Sequence, residues 1–411
     1  MKKRELALRA VIVVVTTIAM AAIVPALLRM LTDAPAGYPY VQYSSVMQEF
    51  CTIDYSNKSW PLTDLRGRHY NNEEFDSIMP LLNFRQLVAD GRQPDSLAGI
   101  ALTPNIVMAK SVVYTHYPIK TNHPRLGLYI MYESAPKRLG LDLPDDIFAL
   151  DTAMTFYRNE ANDIDTAKSR RFNEALHDAG FQFPCTMVEG NMSPRKRYDE
   201  GYFCLDANES LYHVKMVDGE PFVRSAQLAD SISVRAFAPY EPGDKRFYGF
   251  IFDKRNDIYI LERDSDDYRA VRIDVGKFDI EHDNLKILGN LLYWTVTIQT
   301  SLGSTSYALE SQTLRCIDTL HITATEDTWH RVARRTLPIY IDMDNQETKY
   351  ISPRIVWTGW PALITNVILA VLSAMLWRGN RRWKVGVAVY VILTGIAGML
   401  AVWLVGRGRQ D

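Results

Sequence analysis

The chain has 411 residues, with 46 basic against 48 acidic side chains and a net charge of −2. This length holds one large domain or two ordinary ones, and the charge balance gives no basic surface of the kind that binds nucleic acid. Four cysteines, Cys51, Cys185, Cys204 and Cys316, form no CxxC and no zinc-ligand spacing with histidine. One or two disulfides would need an oxidising compartment, Cys185 and Cys204 being closest in sequence. Otherwise the four are small buried hydrophobes.

Apolar ends flank a polar middle. After the basic opening MKKRELALRA comes VIVVVTTIAMAAIVPALL, then Arg29. A basic start before a long apolar run predicts a transmembrane signal anchor over residues 1–31. The alternative is cleavage at the small-x-small stretch Ala34-Pro35-Ala36. Residues 32–96 read as a linker and helical lead-in, irregular as far as residue 70. Asn71-Asn72-Glu73-Glu74 predicts a helix N-terminus, with the helix running to Asp90 and stopped by Gly91. Pro80 would kink it or split it in two.

Residues 97–355 read as a β-rich domain. Short apolar runs end in a polar turn and resume: 148–151 into 154–157, 202–206 into 211–214, 250–253 into 258–261, 293–296 into 307–309, and 339–342 into 349–351. Asp206 and Asp253 close two of these runs 47 residues apart, and stepping back from 148 reaches another strand start at Ile100. Residues 165–180 form a helical insertion, with Asp165 as cap and Gly180 as stop. Six units at about 45 residues match four-stranded propeller blades. The expected fold is therefore mainly β and β-propeller-like, with three transmembrane α-helices. An irregular β-rich α+β domain is the alternative.

Residues 356–406 read as a transmembrane helical hairpin and 407–411 as a tail. The first span lies between Trp360 and Trp377, and the second runs from Val385 to Val405. Between them stand Arg378, Arg381, Arg382 and Lys384. Placing these four inside with Lys2, Lys3, Arg4 and Arg9 leaves Arg29, Arg354, Arg407 and Arg409 outside, so the middle region is extracytoplasmic. Trp357, Trp360, Trp377, Trp383 and Trp403 suit interfacial anchors. Gly386, Gly395 and Gly398 permit close helix packing, and Asn366 lies near the outer end of its span.

Chemistry is thin on the ground. Asp342 to Glu347 superficially follows a calcium loop but lacks its glycine and closing glutamate, and Asp264-Ser265-Asp266-Asp267 reads as an exposed turn. His116 and His123 fall in a Tyr- and Pro-rich loop, and His321 and His330 flank a short polar stretch. Neither pair has ligand spacing. Arg195, Lys196 and Arg197 read as a solvated basic loop. Catalytic residues are unassigned, and no cofactor or metal site is expected.

Four stretches carry a resemblance: NFRQLVADGRQPDSLAGIALTP (83–104), ESAPKRLGLDLPDDIF (133–148), YDEGYFCLDANESLYHVKMVDGEPFVRS (198–225) and FYGFIFDKRNDIYILE (247–262). Over residues 40–355 the chain resembles an uncharacterised bacterial family known only as a domain of unknown function. The resemblance implies no activity and no site residues; it implies companionship with ABC-type export systems of the envelope. The reading is a membrane-anchored extracytoplasmic binding or scaffold module in a bacterial inner membrane. Its expected partners are the lipid bilayer and transporter subunits or another envelope complex, and not nucleic acid. The alternative is an envelope hydrolase with its site on a propeller face.

Overall fold

The computed structural model describes residues 2–32, 38–55, 61–138, 140–265, 267–324, 328–343, 347–376 and 381–406. The cleavage stretch 34–36, Asp266, residues 344–346, Trp377, Arg378, Arg407 and Arg409 lie outside them. The chain divides into two compact units. One holds residues 39–118 and 124–322; the other holds 1–38, 119–123 and 323–411.

The elements are, in chain order, α1 (Lys2–Thr32), β1 (Tyr40–Tyr43), β2 (Phe50–Ile53), β3 (Leu62–Asp64), β4 (His69–Tyr70), α2 (Asn72–Ile78), α3 (Phe84–Ala89), β5 (Ser96–Leu97), β6 (Ile100–Ala101), α4 (Pro104–Ala109), β7 (Val112–His116), a 3-10 turn (Pro118–Lys120), β8 (Asp146–Leu150), β9 (Met154–Arg158), β10 (Asp163–Ile164), α5 (Thr166–Asp178), β11 (Met187–Gly190), β12 (Tyr202–Leu205), β13 (Leu211–Val217), β14 (Glu220–Ser225), β15 (Val234–Pro239), β16 (Phe247–Asp253), β17 (Ile258–Asp264), β18 (Asp267–Arg272), β19 (Asn284–Gly289), β20 (Tyr293–Thr300), β21 (Gly303–Glu310), β22 (Cys316–Thr323), α6 (Thr328–Thr336), β23 (Ile339–Asp342), β24 (Arg354–Trp357), α7 (Pro361–Leu376) and α8 (Arg381–Gly406).

The larger unit is built from five main sheets. The first is β1–β4, the second β8–β10, the third β11–β14 and the fourth β15–β18, each in sequential order. The fifth runs β22-β21-β20-β19-β7, so residues 112–116 supply a strand to residues 284–323, antiparallel to β19. None of these sheets closes on itself.

Strand alternation explains the packing. Side chains at even and odd positions face opposite sides of a sheet. Cys204, Tyr212 and Val214 pack with Phe148 and Phe156 of the second sheet. Their neighbours Phe203, Leu205 and Leu211 pack with Ile251 and Leu261 of the fourth. On the opposite side of the fourth sheet, Phe250, Phe252 and Ile260 meet Ile287, Trp294 and Val296 of the fifth. Val41, Tyr43 and Phe50 of the first sheet cover Ala308, and the backbone N–H of Tyr43 donates to Thr295 Oγ1 at 2.9 Å. The stacking order is second, third, fourth, fifth, first. Each fully buried Phe or Ile side chain contributes about 1.5–3 kcal/mol to holding that stack.

The aspartates that set the pitch share one local structure. Oδ1 of Asp206 accepts from the N–H groups of Asn208 and Ser210, at 2.9 and 2.8 Å. Oδ1 of Asp253 accepts from Arg255 and Asp257 at the same two distances. Asp64 does the same with Arg66 and Arg68. All three are buried, and in each turn the residue three positions on, Glu209, Asn256 or Gly67, has a positive φ. The side chain satisfies N–H groups that the reversing chain takes out of the ladder.

Several expectations change. Residues 40–70, read as irregular lead-in, form a four-stranded sheet. Ile100 opens no blade: β6 pairs only with the two-residue β5, and α4 follows, with Thr103 capping Ile106. The partner of β23 is 354–357 rather than 349–351, with Asp342 opposite Arg354. Asn71 forms a reciprocal cap with Glu74, and the lead-in helix is split around Pro80 into α2 and α3.

Among the described residues of the smaller unit, only Ala7–Thr32 and Arg381–Val405, of 26 and 25 residues, are long and apolar enough to cross a bilayer. The first also suits a signal segment by position and composition. The expected third span is corrected: α7 has 16 residues, about 24 Å of helix against roughly 30 Å of hydrocarbon. Asn366, in the second turn of α7, is fully buried, and its Nδ2 donates to the Ile392 carbonyl at 2.9 Å. Next to it α8 breaks at Gly395, where φ is 63° and a Cβ would lie 2.7 Å from Asn366 Oδ1.

Candidate functional site

A group of buried charges lies where the β11–β12 connection, residues 191–201, meets the β15–β16 connection, residues 240–246. Lys196 sits at its centre. Its side chain is 4% exposed, which corrects the expected solvated loop. The ammonium bonds Asp199 Oδ1 and the Asn191 carbonyl, lies 3.6 Å from Glu241 Oε1, and stands 4.9 Å from the centre of the Tyr132 ring.

Each carboxylate around it has further partners. Asp199 Oδ2 accepts from Ser134 Oγ at 2.5 Å and from the Gly201 N–H at 3.0 Å. Glu241 accepts from Asn191 Nδ2 at 2.7 Å and from the Glu200 N–H at 3.3 Å. Burial raises the Glu241 pKa against the opposing pull of Lys196. Glu200 pairs with Lys215 at 2.9 Å and with Arg263 at 2.6 Å. Three cations thus face three carboxylates, and pairing of this kind is what makes buried charge tolerable.

The turn demands glycine at one position. Gly201 has a φ of +60°, and a Cβ there would stand 2.4 Å from the Val214 carbonyl oxygen and from Lys215 Cβ. With Gly201, the chain can turn from the charged connection directly into β12.

His213 joins this group from β13. Its ring stacks on Phe203, 4.4 Å between centroids at 8°. Nε2 lies 2.6 Å from the Glu200 carbonyl, and Nδ1 lies 2.7 Å from the Tyr268 hydroxyl. A carbonyl only accepts, so Nε2 carries the proton and Nδ1 accepts from Tyr268. Burial, with the positive charges of Lys215 and Arg263 behind it, lowers the His213 pKa to about 3. The ring is locked neutral and ties the third sheet to the fourth.

The polar seam runs on. Arg246 bonds Glu262 at 2.8 Å and the Ser311 carbonyl at 2.6 Å, linking the fourth sheet to the fifth. Lys110, at the end of α4, pairs with Asp244 at 2.8 Å. Chemically the arrangement fixes loops. Asp199 and Glu241 have side chains 1% and 8% exposed, closed off from any substrate.

The other expected positions are dispersed. His116 is on strand β7 rather than in a loop, buried with Nε2 2.9 Å from the Ile280 carbonyl. His321 is on β22, 3.0 Å from Thr305 Oγ1. Asp342 pairs with Arg29 at 3.4 Å. Asp264 and Asp267 face each other across an exposed turn. All four cysteines are thiols; burial raises Cys51 to about 12. Among the described residues no group of three or more His, Cys, Asp or Glu is placed to hold a metal. Sequence reasoning put Lys196 in solvent and missed Glu241 and His213. A lysine and an aspartate three residues apart, before a glycine, was the one local signal.

A family model described as "Domain of unknown function (DUF4857)" matches residues 40–309. No curated protein matches the chain. Among solved structures the chain is similar to the Dos1 propeller, at 11% identity and a TM-score of 0.24, covering 51% of this chain and 48% of that one. It thus spans less than half that chain's length. It is similar to the dihydro-heme d1 dehydrogenase NirN in complex with DHE, at 11% identity and a TM-score of 0.21, covering 66% and 68%. It is also similar to the Cps50 (Swd1) β-propeller domain of Myceliophteria thermophila, at 8% identity and a TM-score of 0.19, covering 58% and 99%.

Proposed function

We propose that this chain, which belongs to the family described as a domain of unknown function (DUF4857), is a membrane-anchored binding or scaffold module. Its sheets form a propeller-like body on the extracytoplasmic side of a bacterial inner membrane. The connections between strands are offered to a membrane protein partner, a transporter of the ABC type or another envelope complex.

One observation carries the reading. The seam through Lys196, Glu241 and Arg246 spends the charges of successive connections on one another, between the third, fourth and fifth sheets. Loops held in one shape lose little freedom on docking, which favours a binding surface. Two further features agree with it. The first sheet packs on the fifth, as first and last blades must in a ring. The long apolar helices leave Leu8, Val15 and Leu393 at least 60% exposed, as lipid-facing side chains are.

A hydrolase would need an accessible acid or base. Two perturbed acid–base groups of this cluster, Glu241 and His213, are buried and bonded. The test is isolation of the full chain in mild detergent after crosslinking, with protease added to intact spheroplasts in parallel. The expected result is one reproducible membrane partner and digestion of the β-rich region from outside. A chain recovered alone, or protected until lysis, overturns the proposal.

A further inference from the structure

We infer that the groove between α7 and α8 binds one acidic phospholipid of the surrounding bilayer. The inference rests on the membrane anchoring proposed above, with α7 packed along α8 inside the bilayer although too short to cross it alone. The groove has a volume of about 430 Å³, inside the roughly 300–1,000 Å³ range of cavities that hold small-molecule ligands.

Its shape follows from side-chain size. Ala370 and Ala374 of α7 and Ala388 of α8 end at Cβ and leave a trough. Val371 and Met375, 47% and 73% exposed, stand along one side as its rim. The far end reaches Ile392, whose carbonyl is already bonded by Asn366. The trough therefore offers apolar surface along its length, the chemistry that takes an acyl chain.

The near end is different. Lys384 lines it and is the one charged residue among the described residues of the wall, half-buried there. A lysine can lay its methylene stem on apolar surface and carry the ammonium to the polar boundary. Arg381 is three residues earlier on the same helix face and exposed. An apolar trough that ends in two cations complements an amphiphile with an anionic head. Basic residues at this position attract acidic lipid, each with an effect of about fivefold on affinity. A zwitterionic lipid gains the apolar contact without the charge pairing.

The test uses the full chain, purified from membranes in mild detergent and exchanged with phosphatidylglycerol or phosphatidylcholine, with bound lipid counted by native mass spectrometry. One phosphatidylglycerol should be retained, at least about fivefold better than phosphatidylcholine. Lys384→Gln should lower phosphatidylglycerol retention toward the phosphatidylcholine level. Ala374→Phe, which fills the trough, should abolish retention of either lipid. The substitution Arg4→Gln, at the opposite terminus, should change nothing. Equal retention of both lipids, or an unaltered Lys384→Gln chain, overturns the lipid site while leaving the anchoring intact. A wild-type chain released from membranes by a carbonate wash would overturn the anchoring itself, and the lipid site with it. Carbonate fractionation of each variant separates loss of the site from loss of insertion.

Discussion

The 191–201 connection and the α7–α8 interface both bury polar side chains, and they settle them differently. Around Lys196, every carboxylate has at least two partners, and His213 uses both ring nitrogens. Between α7 and α8, Asn366 makes one bond through Nδ2 while its Oδ1, and the Ser373 hydroxyl, have no hydrogen-bond partner among the described residues. The difference reflects where each group's alternative lies. Around Lys196 a buried charge without partners would forgo full hydration, and the network supplies each carboxylate with them. Between apolar helices the neutral amide and hydroxyl cost less, and small side chains that allow close approach supply the packing.

Breaking the network should give the largest effect. Lys196→Ala leaves Asp199 and Glu241 facing each other without a cation, and is expected to destabilise the β-rich unit by about 3–5 kcal/mol. Denaturant unfolding followed by tryptophan fluorescence reads this directly. A loss comparable to that of a surface lysine would mean the cluster is solvated.

Next comes His213. His213→Ala strands the Glu200 carbonyl and the Tyr268 hydroxyl and should cost about 2–5 kcal/mol, cavity included. Its pH signature is separate. The folded pKa lies at about 3, below the ordinary value of 6.5, so the unfolded chain binds the extra proton first. The neutral ring's contribution is complete above 6.5 and is lost as pH falls from there toward 3. Melting temperatures across that window should fall less steeply in the substituted chain than in the wild type.

Gly395→Ala probes the other region. It places a Cβ against Asn366 at a positive φ, so a loss of about 1–3 kcal/mol is expected. Unfolding in mixed micelles with increasing SDS would measure it. Combining it with Asn366→Ala should recover part of the loss, because the clash is with that side chain. Full additivity would show that backbone strain alone is responsible.

The smallest effects belong to the repeated turns. Asp253→Ala removes two N–H partners and should cost about 1–2 kcal/mol. Asp206→Ala should cost somewhat more, since Oδ2 of Asp206 also accepts from the Gln182 N–H at 3.2 Å, whereas Oδ2 of Asp253 has no hydrogen-bond partner among the described residues. Paired unfolding curves of the two variants would rank them; the reverse order would undo the distinction.

Much of the architecture was legible along the chain because it is local. Unbroken apolar runs such as 202–205 and 250–252 specify strands with both faces buried, as Phe203 against Cys204 and Phe250 against Ile251 confirm. Asp165 and Gly180 bracket α5, and the Asn71–Glu74 pair starts α2. The sheet at 40–70 was not legible. Its strands are two to four residues long, too short for a period to show. The strand at 112–116 belongs to a partner some 170 residues away, which no local pattern announces.

The candidate site was legible only as a basic triplet. Solvation is the default for Arg195, Lys196 and Arg197, and two of the three are indeed exposed. What buries the middle one is Glu241, which lies 45 residues on. By itself the sequence determined where strands, turns and apolar helices would form, since each answers to neighbours within a few residues. Which charges meet, which strand edge is filled, and which polar side chain is sealed between helices were decided only when distant segments packed. Those outcomes depend on desolvation, and a group loses its water only when the tertiary structure closes over it.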